Sequence, residues 1–133
     1  MYYSDIILPA IAALQGIDSY RYIGLAFAPE PDLASITDDH LPWAQVRLAY
    51  ADWVATTAST LLGTTHLDIN IWAHPARTSP EAFYQLVEDS RLAIQSITLR
   101  TGETWLLERE GTTTPSTATL LQHTLRFIIQ TAR

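Results

Sequence analysis

The sequence predicts an α+β fold, one domain in which a mostly antiparallel or mixed sheet of four to five strands carries two helices. Three observations lead there. The chain has 133 residues, about one ordinary domain, and can bury a single core. Apolar residues make up 47% and charged residues 17%, a mixture too hydrophobic and too weakly charged for disorder. Several segments alternate with period two, while one long segment between them carries a helical stripe.

At the start, Ile6, Ile7, Ala10, Ile11 and Leu14 recur at helical spacing, with Ser4 placed to cap and Gly16 to terminate. Pro9 lies inside this helix and is expected to delay its start or bend it. The phrase "YRYIGLAFA" then alternates as a strand, and the acidic stretch from Pro29 to Pro42 reads as a connector. In "WAQVRLAYADWVAT", Ala44, Val46, Leu48 and Tyr50 face one way, while Gln45 and Arg47 face the other. A loop, Thr56 to Thr65, leads into "TTHLDINIWAHP", which is expected to pair antiparallel with the preceding strand. There His66, Asp68, Asn70, Trp72 and His74 share one face, and Leu67, Ile69, Ile71 and Ala73 share the other.

The clearest helix follows, with Thr78 or Ser79 as N-cap and Pro80 and Glu81 in the first turn. Its buried stripe is Phe83, Leu86, Val87, Ser90, Ile94 and Ile97, while Glu81, Gln85, Glu88, Asp89 and Gln95 face water. "ETWLLERE" is a short strand, whose Glu103, Glu108 and Glu110 suit an exposed edge that discourages unwanted pairing. "TTTPST", from Thr112, reads as a loop. In the last segment Leu121, His123, Leu125, Phe127 and Ile129 alternate, and the β-branched content favours a long strand over a helix.

Composition narrows the function. A net charge of −6, with eight scattered basic residues, opposes tight gripping of nucleic acid, which needs clustered cations. An acidic surface still suits a passage through which DNA slides. Without cysteine there is no disulfide, thiol catalysis or cysteine-ligated metal. The N-terminal apolar run has no basic leader, is broken by Pro9 and is too short for a bilayer, so a soluble, unsecreted protein without membrane contact is expected.

Candidate chemistry is sparse. His66 and Asp68 lie roughly 7 Å apart along one strand face and could share an ion, but His74 is roughly 27 Å from His66 in a straight strand. A third ligand would have to come from elsewhere, such as His40 or His123. The sequence has no G-x-S-x-G elbow and no nucleotide-binding glycine loop. Asp38, Asp39 and His40 form an acidic loop better suited to solvent than to a cation. No catalytic residue, cofactor or metal site is therefore assigned.

The ordered phrases resemble another kind of protein. A short helix, an acidic loop, "LPWAQV" from Leu41, "LDINIWAHP" from Leu67, an amphipathic helix and "TLRFIIQT" from Thr124 together look like the tail terminator proteins of long-tailed bacteriophages. The likeness covers nearly the whole chain in order and spacing. It implies a non-enzymatic virion protein of the tail or neck, assembled in the host cytoplasm. Such a protein forms a homo-oligomeric ring, expected to be hexameric, that caps the tail tube and stops its growth. Its implied partners are the tail tube protein, a head-neck connector or stopper and, in a contractile tail, the sheath. DNA passes through the ring without specific binding.

Within that frame, pattern assigns subunit contacts to Trp43, Trp53 and Trp72, because tryptophan is enriched at interfaces, and to the loop ending in Thr64 and Thr65. The lumen candidates are Asp38, Asp39 and Asp52. The alternatives are a neighbouring head-completion or stopper protein of similar size, a small hydrolytic enzyme or a metal-dependent one using His66 and Asp68, and a host-encoded ligand-binding α+β domain.

Overall fold

In the computed structural model, residues 3–20, 22–25, 41–55, 61–99, 104–111 and 121–132 are described. Along the chain these form α1 (Tyr3–Gln15), β1 (Tyr22–Leu25), β2 (Trp43–Ala55), β3 (Leu61–Ala73), α2 (Pro80–Gln95), β4 (Leu106–Gly111) and β5 (Leu121–Ala132). This is the α+β order that the periodicities predict, including the choice of strand for the last segment. The acidic residues Asp38 and Asp39, together with His40, Glu103, residues 56–60 and the "TTTPST" stretch, lie outside the described residues.

One five-stranded sheet runs β1-β2-β3-β5-β4. β2 pairs antiparallel with β3, β3 with β5, and β5 with β4, whereas β1 pairs parallel with β2. A parallel pair needs a long crossover, and residues 26–42 supply the length. The central strand β3 therefore sits between two long partners, with Ile69 opposite both Val46 and Leu125.

Both helices pack on one side of this sheet. From α1 come Ile6, Ile7, Ala10 and Leu14, and from α2 Phe83, Leu86, Val87 and Ile94. They meet Ala44 and Val46, Leu67, Ile69 and Ile71, and Leu125, Phe127 and Ile129 of the three central strands. Burying each large aliphatic or aromatic side chain contributes about 1.5–3 kcal/mol as an upper estimate. Trp105, just before β4, belongs to this core and is 1% exposed.

In α2 the stripe Phe83, Leu86, Val87, Ser90 and Ile94 is buried as the spacing predicts, but the helix ends at Gln95, so Ile97 lies beyond it and is only partly buried. Ser79 is its N-cap, accepting from the amide of Ala82 at 3.1 Å, and Pro80 occupies the first turn, where its missing N–H costs nothing. In α1 two expectations are corrected. The helix already includes Tyr3, so Ser4 lies within it and is not its cap, and Pro9 sits inside without delaying the start. An interior proline costs about 3 kcal/mol. Burial of Ile6, Ile7, Ala10 and Leu14 against the sheet and α2 offsets it.

A second correction concerns β2. Its pairing with β3 skips a residue between Leu48, opposite Leu67, and Tyr50, opposite His66. The extra residue interrupts the strict alternation of β2 and sets Tyr50 opposite His66 in register. A third concerns the Thr56–Thr65 loop. β3 begins at Leu61, so Thr64 and Thr65 are strand residues, paired with Asp52 and Ala51 on one side and Gln130 and Ile129 on the other.

Candidate functional site

Alternation along β3 leaves His66, Asp68, Asn70 and Trp72 on the side of the sheet that neither described helix covers. Antiparallel register then decides which side chains meet them. Arg47 of β2 and Arg126 of β5 both stand opposite Asp68, Gln45 and Thr124 stand opposite Asn70, and Trp43 and Gln122 stand opposite Trp72.

The middle row is an ionic ladder. Arg126 donates from Nε and Nη2 to the two oxygens of Asp68 at 2.7 and 2.8 Å, a bidentate fork, and Arg47 Nη2 donates to the same carboxylate at 2.7 Å. The Asp68 side chain is only 3% exposed, whereas Arg47 and Arg126 keep about a fifth of their surface in solvent. Burial alone would push the Asp68 carboxyl up, but hydrogen bonds and charge from Arg126 and Arg47 outweigh it and hold the group below its ordinary value.

The next row is neutral. Gln122 donates to Thr124 at 2.7 Å, Thr124 to Asn70 at 2.6 Å, and Asn70 to Gln45 at 3.1 Å, a chain crossing three strands. At its end the Trp43 and Trp72 rings lie 5.2 Å apart, tilted by 34°. On the other side of the ionic row, His66 Nδ1 donates to Glu108 Oε2 of β4 at 3.0 Å. Glu108 reaches this side because the β4–β5 pairing also skips one residue, between Leu107 and Arg109.

These geometries revise the picture of an open outer row. Trp72 is 6% exposed and His66, Asp68 and Asn70 are similarly shielded within the chain, because long side chains from both flanking strands close over the central one. Trp43 is half-buried, Thr64 half-buried and Thr65 buried, while Asp52 and Trp53 lie in β2 opposite Thr64 and Gly63. His66 and Asp68 do not converge on an ion: one faces Glu108, and the other is enclosed by two guanidinium groups that would repel a cation. Among the described residues, no three His, Asp or Glu side chains form a metal-holding cluster.

The opposite side of the sheet carries a shallower feature. Between α2 and the β4–β5 edge, an open groove is lined by Glu81, Tyr84, Val87, Glu88, Glu110 and His123, among others. His123 Nε2 lies 3.3 Å from Glu110. Glu88 pairs with Arg91, whose hydrogen bond holds the Glu88 carboxyl below and its own guanidinium above their usual values. Deeper in the same layer Tyr20 hydrogen-bonds Ser90 at 2.5 Å, and burial pushes its phenol up. Among the described residues, no helix is long and apolar enough to cross a membrane.

Sequence reasoning missed the ladder of Arg47, Asp68 and Arg126, and the pairing of His66 with Glu108. Alternation does place Arg47, and by the same rule Arg126, off the apolar rows. Which residue each faces depends on register between distant strands, which single-segment patterns do not carry.

No protein-family model matches the sequence, and neither does any curated protein. The fold does have a counterpart among solved structures. A chain of a structure described as "Virion of native gene transfer agent (GTA) particle" superposes with a TM-score of 0.56 at 16% identity, covering 94% of this chain and 90% of that one. At that identity the likeness is one of fold, and it extends over nearly the full length of both chains.

Proposed function

We propose that this protein is a structural component of a phage-like virion, a tail terminator whose ring caps the tail tube, stops its elongation and offers a surface for joining the head. The observation that carries the reading is the fold shared end to end with a chain of a gene transfer agent virion. The resemblance of the ordered sequence phrases to tail terminators points the same way. So does the character of the helix-free face, where Asp68 is held by Arg47 and Arg126 from both flanking strands and is committed to structure. In this reading Trp43, Trp53, Trp72 and Thr64 lie near subunit contacts, and Asp38, Asp39 and Asp52 line a lumen whose negative charge lets DNA slide.

The test is deletion of the gene in the strain that makes the particle, followed by electron microscopy. Tubes of abnormal length with unjoined heads are expected. Tails of normal length that merely fail to attach would assign the protein to the neck as a stopper. Unchanged, infectious or transducing particles would overturn a virion role altogether. Native mass spectrometry of the purified chain separates the enzyme reading, since a strict monomer with stoichiometric metal would sink the ring.

A further inference from the structure

The edge strand β4 presents unpartnered groups on its helix-free side, and α2 presents others beside its opposite side. By register Leu106 stands opposite Ile128 and Arg109 opposite Arg126, which places both on the helix-free side. Leu106 is 64% exposed. Among the described arginines, Arg109 alone makes no ion pair or hydrogen bond: Arg47 and Arg126 are held by Asp68, Arg91 by Glu88, and Arg77 is also engaged. Arg109 stands opposite Arg126, whose guanidinium is already engaged by Asp68, so the strand pair offers Arg109 no counter-charge across it.

The groove on the other side holds the complement. Tyr84 is 68% exposed, and Glu81, in the first turn of α2, makes no side-chain hydrogen bond or ion pair among the described residues. Glu88 and Glu110 add carboxylates to the same lining. An exposed aromatic ring beside the uncommitted Glu81 carboxylate is a seat for a guanidinium, by stacking on the ring and pairing with the acid, while Glu88 and Glu110 are already engaged by Arg91 and His123.

We propose that the occupant of this groove is Arg109 of a second copy of the chain, with Leu106 of that copy against Tyr84. A head-to-tail contact joins two different patches, and when the rotation closes it makes a ring. The two patches lie on opposite sides of one edge strand, so each subunit offers one to each neighbour. Burial of Leu106 and Tyr84 supplies attraction, and the pairing of Arg109 with Glu81 fixes orientation, since an exposed ion pair alone contributes little. The contact rests on the ring reading above but places the subunit seam at β4 and α2, apart from Trp43, Trp53, Trp72 and Thr64, of which Trp72 is buried within the chain.

Charge exchange tests it. The wild-type chain, Arg109→Glu, Glu81→Arg and the double variant are compared by native mass spectrometry and by sedimentation over a concentration series, alone and with tail tubes. The substituted positions Glu81, Tyr84 and Arg109 are all exposed, so matched circular dichroism and melting curves establish folding. Each single variant is expected to weaken assembly by about tenfold or more, and the double variant to recover most of the loss. Tyr84→Ala is expected to weaken assembly without changing its salt dependence. A ring that forms equally well in Arg109→Glu, or a double variant as poor as either single, overturns the contact and leaves the ring reading standing. A wild-type chain that forms no ring, alone or on tubes, defeats that reading and this contact with it.

Discussion

The two sides of the central sheet are buried to similar degrees by opposite means. On the helix side, Leu67, Ile69, Ile71, Leu125 and Phe127 are fully covered by α1 and α2, and their burial is apolar. On the other, Asp68, Asn70 and Gln45 are covered by neighbouring strands and held by hydrogen bonds and charge. The first kind of burial tolerates changes of identity that preserve volume. The second tolerates no loss of one partner, because each remaining group would be left buried and unpaired. β3 alternates between these regimes at every residue, and a one-residue slip would exchange them. The polar ladder therefore specifies register more than it adds stability.

The largest effect is expected on the apolar side. Phe127→Ala should lower unfolding stability by about 4 kcal/mol through lost burial and the cavity left behind, read from the urea midpoint at unchanged slope. On the polar side, Asp68→Asn should cost about 3 kcal/mol, because Arg47 and Arg126 would then face each other without their shared counter-charge. Replacing Arg47, Asp68 and Arg126 together by Met, Leu and Met should cost almost nothing in the same assay. A large loss there would break the contrast between the two sides.

Acidity separates them further. The Asp68 carboxyl is lowered in the folded chain, so its contribution is fully present above the unfolded-state value and is lost as pH falls through the lower folded one. The stability gap between wild type and Asp68→Asn should therefore persist at neutral pH and narrow below the ordinary carboxylate range, while the Phe127→Ala gap remains. Urea midpoints measured down the acid limb check this. The smallest effect is off both faces: Ser79→Ala should cost about 1 kcal/mol by removing the α2 cap, with no dependence on which side of the sheet is altered.

Much of this architecture was legible because it is local. Phe83, Leu86, Val87, Ser90 and Ile94 announce α2 by spacing, and Leu67, Ile69 and Ile71 announce the inner row of β3, since a helix or strand repeats its own geometry within a few residues. Failures cluster where one segment's geometry depends on another. Propensity makes Ser4 a cap and Pro9 a breaker, and both readings fail because packing against the sheet carries α1 across both. The loop expected up to Thr65 begins as strand at Leu61 because β2 and β5 extend far enough to pair with it.

The amino-acid sequence by itself determined the class of fold, the order of elements and the apolar rows of α2 and β3, all of which follow from periodicity and composition. Only the tertiary structure decided that Asp68 belongs to Arg47 and Arg126 and not to an ion, that Glu108 reaches His66, and that the outer row closes over itself. Those outcomes depend on strand order, on register and on two skipped residues. Each sets contacts between segments tens of residues apart, where energies of the whole sheet and not of any one segment choose the partner.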